Sequence, residues 1–120
     1  MNTSTTISRH GITLPMGPIA EFCRRWKIRE LAVFGSFLRD DFGDQSDIDL
    51  LIDATTGANW TFVDLLAMEE EMTRLLDRKV EFVERTAVER SRNYIRRRHI
   101  LATAVPTYVR GESPADRVEE

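Results

Sequence analysis

The hydrophobic positions along the chain repeat with helical spacing in some stretches and with strand spacing in others. Residues 14–28 predict one amphipathic helix, because their apolar side chains recur at intervals of three and four: Ile19, Phe22, Cys23 and Trp26. The runs ELAVF, residues 30–34, and SDIDLLID, residues 46–53, each predict a short strand. Between them, FLRDDFG, residues 37–43, has room for at most two helical turns.

The second half of the chain continues this alternation. Residues 60–77 give the longest helical pattern, and we expect its apolar stripe to lie in the core: Phe62, Leu65, Leu66, Met72, Leu75 and Leu76. RKVEFVE, residues 78–84, predicts a third strand, residues 86–104 one or two helices, and residues 106–110 a last short strand. This succession predicts an α/β or α+β sandwich, in which helices cover the faces of a small mixed sheet.

The length of the chain, 120 residues, is that of one folded domain. Residues 1–12 are rich in Thr and Ser and have no periodicity, so we expect a flexible N-terminal arm. Residues 13–110 are predicted to form the domain, and the acidic residues 111–120 a disordered tail.

Composition narrows the class of partner and the compartment. A hydrophobic content of 42% with 31% charged residues is typical of a soluble globular protein. The net charge of −3 offers no electrostatic reason for a nucleic-acid partner, so direct DNA binding is not expected. The opening residues lack the apolar region of a secretory signal, and we expect a cytoplasmic protein without membrane association. Cys23 has no second cysteine to pair with, and we interpret it as a small apolar residue on a helix face.

Two aspartates stand at the head of the second predicted strand. Side chains alternate across a strand, so Asp47 and Asp49 share one face, about 6 to 7 Å apart along it. The alternate positions, Ile48, Leu50 and Ile52, then point into the core. Two carboxylates on one face repel each other unless a cation lies between them, and hard oxygen ligands suit Mg²⁺. Alternation also puts Asp53 on this face, at the strand end, where we expect it in a solvated loop.

A Gly-Ser pair stands where the first predicted strand gives way to the short helix. Free backbone N–H groups at such a junction favour an anion, and Gly35 lets a phosphate approach the backbone closely. The Ser36 hydroxyl can add one more hydrogen bond. A phosphate cradle beside a pair of metal ligands describes a site for the metal complex of a nucleoside triphosphate, as phosphoryl and nucleotidyl transfer require.

A two-metal version of this site needs a third acid from a neighbouring strand, and Glu81 in KVEFV is the candidate. It could bind one ion and accept a proton from the acceptor. The structural alternative is a charged residue on the exposed side of an edge strand.

These residues resemble a known superfamily. Gly35 and Ser36, followed eleven residues after the serine by Asp47-x-Asp49, are similar to the signature of DNA polymerase beta-like nucleotidyltransferases. More closely, ELAVFGSFLRDDFGDQSDIDLLID, RKVEFVERTAVERSRN and RRRHIL resemble the minimal nucleotidyltransferases, often the antitoxins of HEPN-domain ribonucleases. The resemblance implies an α+β nucleotidyltransferase fold, with a small mixed sheet packed with helices.

The same resemblance implies roles for individual residues. Gly35 and Ser36 would hold the triphosphate of ATP, while Asp47 and Asp49 bind magnesium. Glu81 stands where such proteins usually carry a third aspartate, and its extra methylene alters the geometry around two Mg²⁺ ions.

Arginines near these acids have two interpretations each. Arg39 resembles an arginine that follows the Gly-Ser pair in relatives and could contact phosphate, or it forms a surface ion pair with Asp40 or Asp41. The basic run from Arg85 to Arg98 is either a solvated helix face or a contact surface for triphosphate, for an acidic partner or for an RNA-bound one.

The sequence therefore favours a Mg²⁺-dependent nucleotidyltransferase that moves AMP from ATP to a hydroxyl of a HEPN toxin, a tyrosine by resemblance, and so acts as its antitoxin. The alternative in another class is an antitoxin of the same fold that neutralises its partner by binding alone. Transfer to a small hydroxylated molecule is a third hypothesis. A receiver-type phosphoacceptor pocket is disfavoured, because the acidic pair and late lysine that it needs are missing. Homo- and hetero-oligomers both stay open.

Overall fold

The computed structural model describes residues 8–110, and from residue 14 onward the secondary structure follows the order that the sequence predicts. The helices are α1 (Met16–Arg25), α2 (Phe62–Leu76), α3 (Arg85–Glu89) and α4 (Tyr94–Thr103), with a 3₁₀ turn at Gly35–Leu38. The strands are β1 (Ser8–Arg9), β2 (Ile12–Thr13), β3 (Ile28–Phe34), β4 (Ile48–Ala54), β5 (Val80–Glu84) and β6 (Val105–Val109).

Four strands form one mixed sheet in the order β5-β4-β3-β6. β4 and β5 run parallel, joined by a crossover through α2, while β3 is antiparallel to both β4 and β6. The register places Asp49 of β4 opposite Phe34 on one side and opposite Glu81 on the other. The start of β4 therefore lies beside the end of β3.

Both faces of the sheet are covered, which explains why β4 is apolar at nearly every position. The larger core contains Ile48, Leu50 and Ile52 of β4 with residues of α1 and α2, among them Phe22 and Met72. The smaller core lies on the other face, where helices α3 and α4 pack, and contains Ala32, Phe34, Leu51, Val88 and Ile100. The mixed sheet between helices confirms the predicted fold class.

Helix α2 begins at a capping box, in which Thr61 Oγ1 accepts from the Asp64 N–H at 3.1 Å and Asp64 Oδ2 accepts from the Thr61 N–H at 2.8 Å. Its C-cap, Asp77, is left-handed, with φ of 55°. None of the helices within residues 8–110 combines the length and the apolar character that crossing a membrane requires.

The predicted apolar stripe of α2 is wrong at two positions. Phe62 is 74% exposed and Leu66 50% exposed, whereas Met68 and Met72 are fully buried. Residues two apart on a helix point to nearly opposite sides, so a helix that meets the sheet along Met68 and Met72 turns Leu66 outward. The apolar periodicity of α2 is broader than the face that the sheet covers.

Part of the predicted N-terminal arm, residues 1–12, contains regular secondary structure. Residues 8–13 form a β-hairpin, β1 and β2, whose two loop residues His10 and Gly11 have φ of 57° and 76°. Two successive positive φ angles are those of a tight hairpin turn. Strands of two residues leave no periodic signal, which is why the sequence pattern did not indicate them. Residues 1–7 and the predicted acidic tail, residues 111–120, lie outside the described residues.

One smaller boundary differs as well. Asp47 precedes β4 rather than lying within it, since the strand begins at Ile48. Cys23 is buried in the larger core, as expected of a small apolar residue, and this burial raises the pKa of its thiol.

The two sides of α2 should respond differently to truncation. We expect Met72→Ala to lower the free energy of unfolding by about 2–5 kcal/mol, because it leaves a cavity in the larger core. Phe62→Ala removes a larger side chain but should change stability by no more than about 0.5 kcal/mol, because that ring is in solvent. Urea unfolding of both variants measures the difference. Equal losses would show that Phe62 packs in the folded protein.

Candidate active site

The segment between β3 and β4, residues 35–47, carries the candidate site. Gly35 opens the 3₁₀ turn with φ of +74°, a backbone conformation that residues with a Cβ rarely adopt. A Cβ at this position would also collide with Oδ2 of Asp49. Glycine is therefore required twice, for the direction of the chain and for the close approach of the turn to the carboxylate.

Ser36 connects the turn to both aspartates. Its hydroxyl donates to the backbone carbonyl of Asp47 at 3.1 Å. Its backbone N–H donates to the carboxylate of Asp49. The hydroxyl proton, which the sequence assigned to phosphate, is thus held by the protein, while the amide faces an anionic oxygen of the kind that a phosphate presents.

Asp49 and Glu81 are register partners on adjacent parallel strands, so their side chains leave the sheet on the same face. Asp49 is half-buried. Glu81 is exposed, because β5 is an edge strand of the sheet. Asp47 is half-buried one residue before β4. The structure therefore brings the three predicted acids into one neighbourhood, at the end of the sheet where the turn lies.

Negative charge is concentrated around Asp49. Burial raises the pKa of its carboxyl, and the charges of Glu81 and Asp47 raise it further. The backbone N–H of Ser36 and the charge of Arg39 act in the opposite direction without cancelling the rise. Ionising Asp49 in the folded protein therefore costs free energy, and a cation at this point would remove that cost.

The donor atoms suit a hard divalent cation, since all three side chains are carboxylates. Within residues 8–110, however, no group of three or more His, Cys, Asp and Glu side chains is arranged to hold a metal ion. The three carboxylates are neighbours that do not enclose a common point. Their fit to a metal therefore rests on donor chemistry and on uncompensated charge.

The remaining predicted polar residues have identifiable partners. Arg39 forms an ion pair with Asp41 at 3.3 Å, in which both side chains are exposed. The Ser46 hydroxyl accepts a hydrogen bond from the Gly43 N–H at 3.0 Å. Asp53 does not lie in a solvated loop: it belongs to β4, its side chain is 16% exposed, and it pairs with Arg29 of the neighbouring strand.

Sequence reasoning missed Arg78, which holds the loop that leads into Asp47. Its Nε donates to the Ser46 carbonyl at 3.1 Å and its Nη2 donates to the Gly43 carbonyl. Its guanidinium also lies 4.5 Å from the ring centre of Phe42. No local pattern predicts these contacts, because Arg78 follows the C-terminal end of α2, more than thirty positions later in the chain.

The basic run from Arg85 to Arg98 is mostly exposed, as both of its interpretations require. Arg85 pairs with Glu89 at 3.0 Å, and Arg98 donates to the Tyr94 hydroxyl at 2.9 Å. The guanidinium groups of Arg97 and Arg98 each lie 5.5 Å from the Tyr94 ring centre. Tyr94 is therefore in contact with arginines of its own helix.

Solved structures of two-protein toxin systems share this fold. A toxin-antitoxin structure with AMP-PNP superposes with a TM-score of 0.62 at 16% identity, over 88% of this chain and 80% of that one. The Shewanella oneidensis structure of a tri-AMPylated HEPN toxin with its MNT antitoxin gives a TM-score of 0.54 at 17% identity, covering 87% and 75%. A proposed minimal nucleotidyltransferase reaches 25% identity with a TM-score of 0.59, covering 76% and 87%.

Two sequence relatives are described as proposed protein adenylyltransferases. The proposed protein adenylyltransferase MJ0126 of Methanocaldococcus jannaschii is 29% identical over 68 residues, which are 57% of this chain and 67% of that protein. A second from that organism, MJ1217, is 30% identical over 64 residues, 53% of this chain and 63% of that protein. The chain thus spans about two thirds of the length of the curated relatives that it matches.

A family profile described as nucleotidyltransferase domain matches residues 19–102. The match begins in α1 and ends in α4, so it includes the turn at Gly35 and all three acids. On this evidence the chain belongs to the nucleotidyltransferase domain family, as the resemblance of its motifs implied.

Proposed function

We propose that this protein is a Mg²⁺-dependent protein adenylyltransferase that transfers AMP from ATP to a tyrosine hydroxyl of a HEPN ribonuclease toxin and thereby acts as its antitoxin. The observation that carries the proposal is the contact of the Gly35–Ser36 turn with Asp49, whose register partner is Glu81. An anion-binding backbone and a crowded set of carboxylates meet there, which are the two halves of a site for a metal-bound triphosphate.

Each residue of the site has a role in this proposal. The backbone N–H groups of the Gly35–Ser36 turn bind the triphosphate, and Arg39 is near enough to influence Asp49 and can turn from Asp41 to a phosphate oxygen. Asp47, Asp49 and Glu81 would hold two Mg²⁺ ions. When bound, these ions would polarise the α-phosphate and neutralise the leaving pyrophosphate.

Glu81 also has the position of a proton acceptor. It lies on the exposed side of the edge strand β5, where the hydroxyl of a second protein can reach it. General-base help requires a carboxylate within hydrogen-bond reach of the attacking oxygen, and the exposed carboxylate meets that requirement without movement of the sheet.

Exposed hydrophobic side chains on the protein surface favour a protein acceptor over a small molecule. Large hydrophobic side chains are exposed on α2 and α4: Phe62, Val63, Leu66, Tyr94 and Ile95. The two groups lie on helices that pack against opposite faces of the sheet, but within each helix the exposed side chains are neighbours, as is typical of sites that bind another protein. The fold neighbour that contains a tri-AMPylated HEPN toxin supports the choice of acceptor.

Transfer is tested with the purified chain, Mg²⁺, ATP labelled on its α-phosphate and a HEPN partner. We expect label on a partner tyrosine, release of pyrophosphate and loss of ribonuclease activity, with no label when Mg²⁺ is chelated. A partner that is inhibited but never labelled would replace the proposal with the binding-only antitoxin. Label on a small hydroxylated acceptor instead would assign the activity to that class of substrate.

Asp49→Asn should separate metal binding from folding. The pKa of Asp49 is raised in the folded protein, so at pH values above the ordinary pKa of an aspartate its charge lowers the free energy of unfolding. This loss of stability disappears as the pH falls and the carboxyl takes up a proton. Without Mg²⁺ at pH 7 the variant should therefore melt at a higher temperature than the wild type. Transfer and stabilisation by Mg²⁺ should both be abolished.

Asp53→Asn is the matched control for that experiment. It makes the same chemical change on the same strand, but it breaks the ion pair with Arg29 and should lower the melting temperature while leaving transfer intact. Scanning calorimetry at pH 7 and pH 4, with and without Mg²⁺, measures these differences. An Asp49→Asn protein that transfers AMP at the wild-type rate would contradict the assignment.

Glu81→Asp tests the third acid. Shortening the side chain restores the residue that the resemblance implies at this position, so the transfer rate should be kept or raised. Glu84→Asp, three residues along β5 and on its opposite face, should have no effect on the rate. A collapse of the rate in Glu81→Asp alone would show that the site is built around the longer glutamate.

A further inference from the structure

The N-terminal hairpin, residues 8–13, makes direct contact with the turn that carries Gly35 and Ser36. Arg9 Nε donates to the Phe37 carbonyl at 3.1 Å, and Arg9 Nη2 donates to the Leu38 carbonyl at 3.0 Å. Nε2 of His10 lies 3.0 Å from the same Phe37 carbonyl. One guanidinium thus binds two successive carbonyls at the end of the 3₁₀ turn, and the imidazole shares one of them.

The hairpin also contacts the other half of the segment through an aromatic stack. The His10 ring stacks on Phe42 with 4.8 Å between ring centres, and Arg78 lies over Phe42 at 4.5 Å from its centre. Phe42 packs edge-on against the buried ring of Phe37 at 5.3 Å. The segment from Gly35 to Ser46 is therefore held from outside by residues that precede it and follow it in the chain.

The turn is short and has no side-chain cap at its N-cap, Phe34. The backbone hydrogen bond at its C-terminal end runs from the Arg39 N–H to the Ser36 carbonyl at 2.9 Å. A single 3₁₀ turn is too short to be stable by propensity. The carbonyls of Phe37 and Leu38 gain their partners from the side chain of Arg9, which a buried or half-buried carbonyl requires.

We infer that the hairpin is a positioning element of the nucleotide site: Arg9 and His10 fix the Phe37 and Leu38 carbonyls and thereby hold Ser36 in line with Asp47 and Asp49. The connection is one residue long, because Ser36 is bonded directly to Phe37 and itself contacts both aspartates. Arg9 and His10 touch neither substrate nor metal ligand in this role. The inference rests on the proposed function for its consequence, since a displaced Ser36 would weaken binding of the triphosphate.

Amide hydrogen exchange of the full chain without nucleotide tests the structural half of this inference. In Arg9→Ala we expect the Arg39 amide, which closes the turn, to exchange about tenfold faster, as the loss of one to two net hydrogen bonds predicts. Amides of the central strand β4 should keep their protection. Arg9→Lys, which can bind one carbonyl at a time, should fall between the wild type and the alanine variant.

Titration with AMP-PNP and Mg²⁺ tests the functional half. Arg9→Ala should raise the Kd about tenfold and raise the KM for ATP more than it changes kcat, because ground-state binding of the triphosphate is what the turn provides. Arg25→Ala is the matched control: it removes an exposed arginine paired with Glu71, between α1 and α2, and should leave Kd unchanged. A purely structural role for Arg9 would lower the melting temperature and leave Kd unchanged.

The outcomes separate the two proposals. Faster exchange confined to the turn, with the rise in Kd, supports the positioning role. Unchanged exchange at Arg39, or exchange that rises equally in β4, overturns it. A wild-type protein that fails to bind AMP-PNP overturns the proposed function, and the exchange result then decides by itself whether the hairpin holds the turn.

Discussion

The contact between the Gly35 turn and the Asp49 carboxylate is the constraint on which the rest of the site depends. The contact is possible because Gly35 has no Cβ and adopts a positive φ, which lets its backbone approach the Asp49 carboxylate closely. Any other residue at this position would displace that carboxylate. The contact joins the end of β3 to the start of β4, the two central strands, at one end of the sheet. The backbone donor of Ser36 and the acids of β4 and β5 therefore have a fixed relation to one another.

That end of the sheet carries a local electrostatic cost. A half-buried Asp49 faces the charges of Glu81 and Asp47, and the hydrogen bond from Ser36 compensates only part of their repulsion. Such an arrangement persists in a folded protein when the surrounding structure holds it in place, and it is typical of functional sites. Here two features hold the site: the register of β4 with β5, and the contacts that Arg78 and Arg9 make with the segment between β3 and β4.

The packing of both faces of the sheet explains where the acids lie. Ile48, Leu50 and Ile52 fill the larger core, and Leu51 takes part in the smaller core on the other face. Asp49 shares that other face with Leu51 but lies two positions nearer the strand start, so it meets the turn and the exposed Glu81. The site thus occupies the end of a face whose middle is packed by α3 and α4.

Much of the fold was predictable because its signals are local. The spacing of Ile19, Phe22 and Cys23 predicted α1, and the alternation around Asp49 predicted both a strand and the burial of its neighbours. The residues of the candidate site were recognisable for a similar reason, since Gly35, Ser36, Asp47 and Asp49 lie within fifteen positions of one another and each residue type has a narrow chemistry. Glu81 required one further assumption, that its strand pairs with β4, and the parallel register agrees with it.

The tertiary structure alone decided the rest. Which side of α2 meets the sheet depends on the packing of the whole helix, so the exposure of Phe62 and Leu66 could not be derived from an apolar stripe. The hairpin contacts of Arg9 with Phe37 and the loop contacts of Arg78 with Ser46 join residues about thirty positions apart. Periodicity and short motifs report on neighbours in the chain, whereas these contacts arise when distant segments fold together. The sequence by itself therefore determined the elements and the chemistry of the site, and the folded chain determined how firmly that site is held.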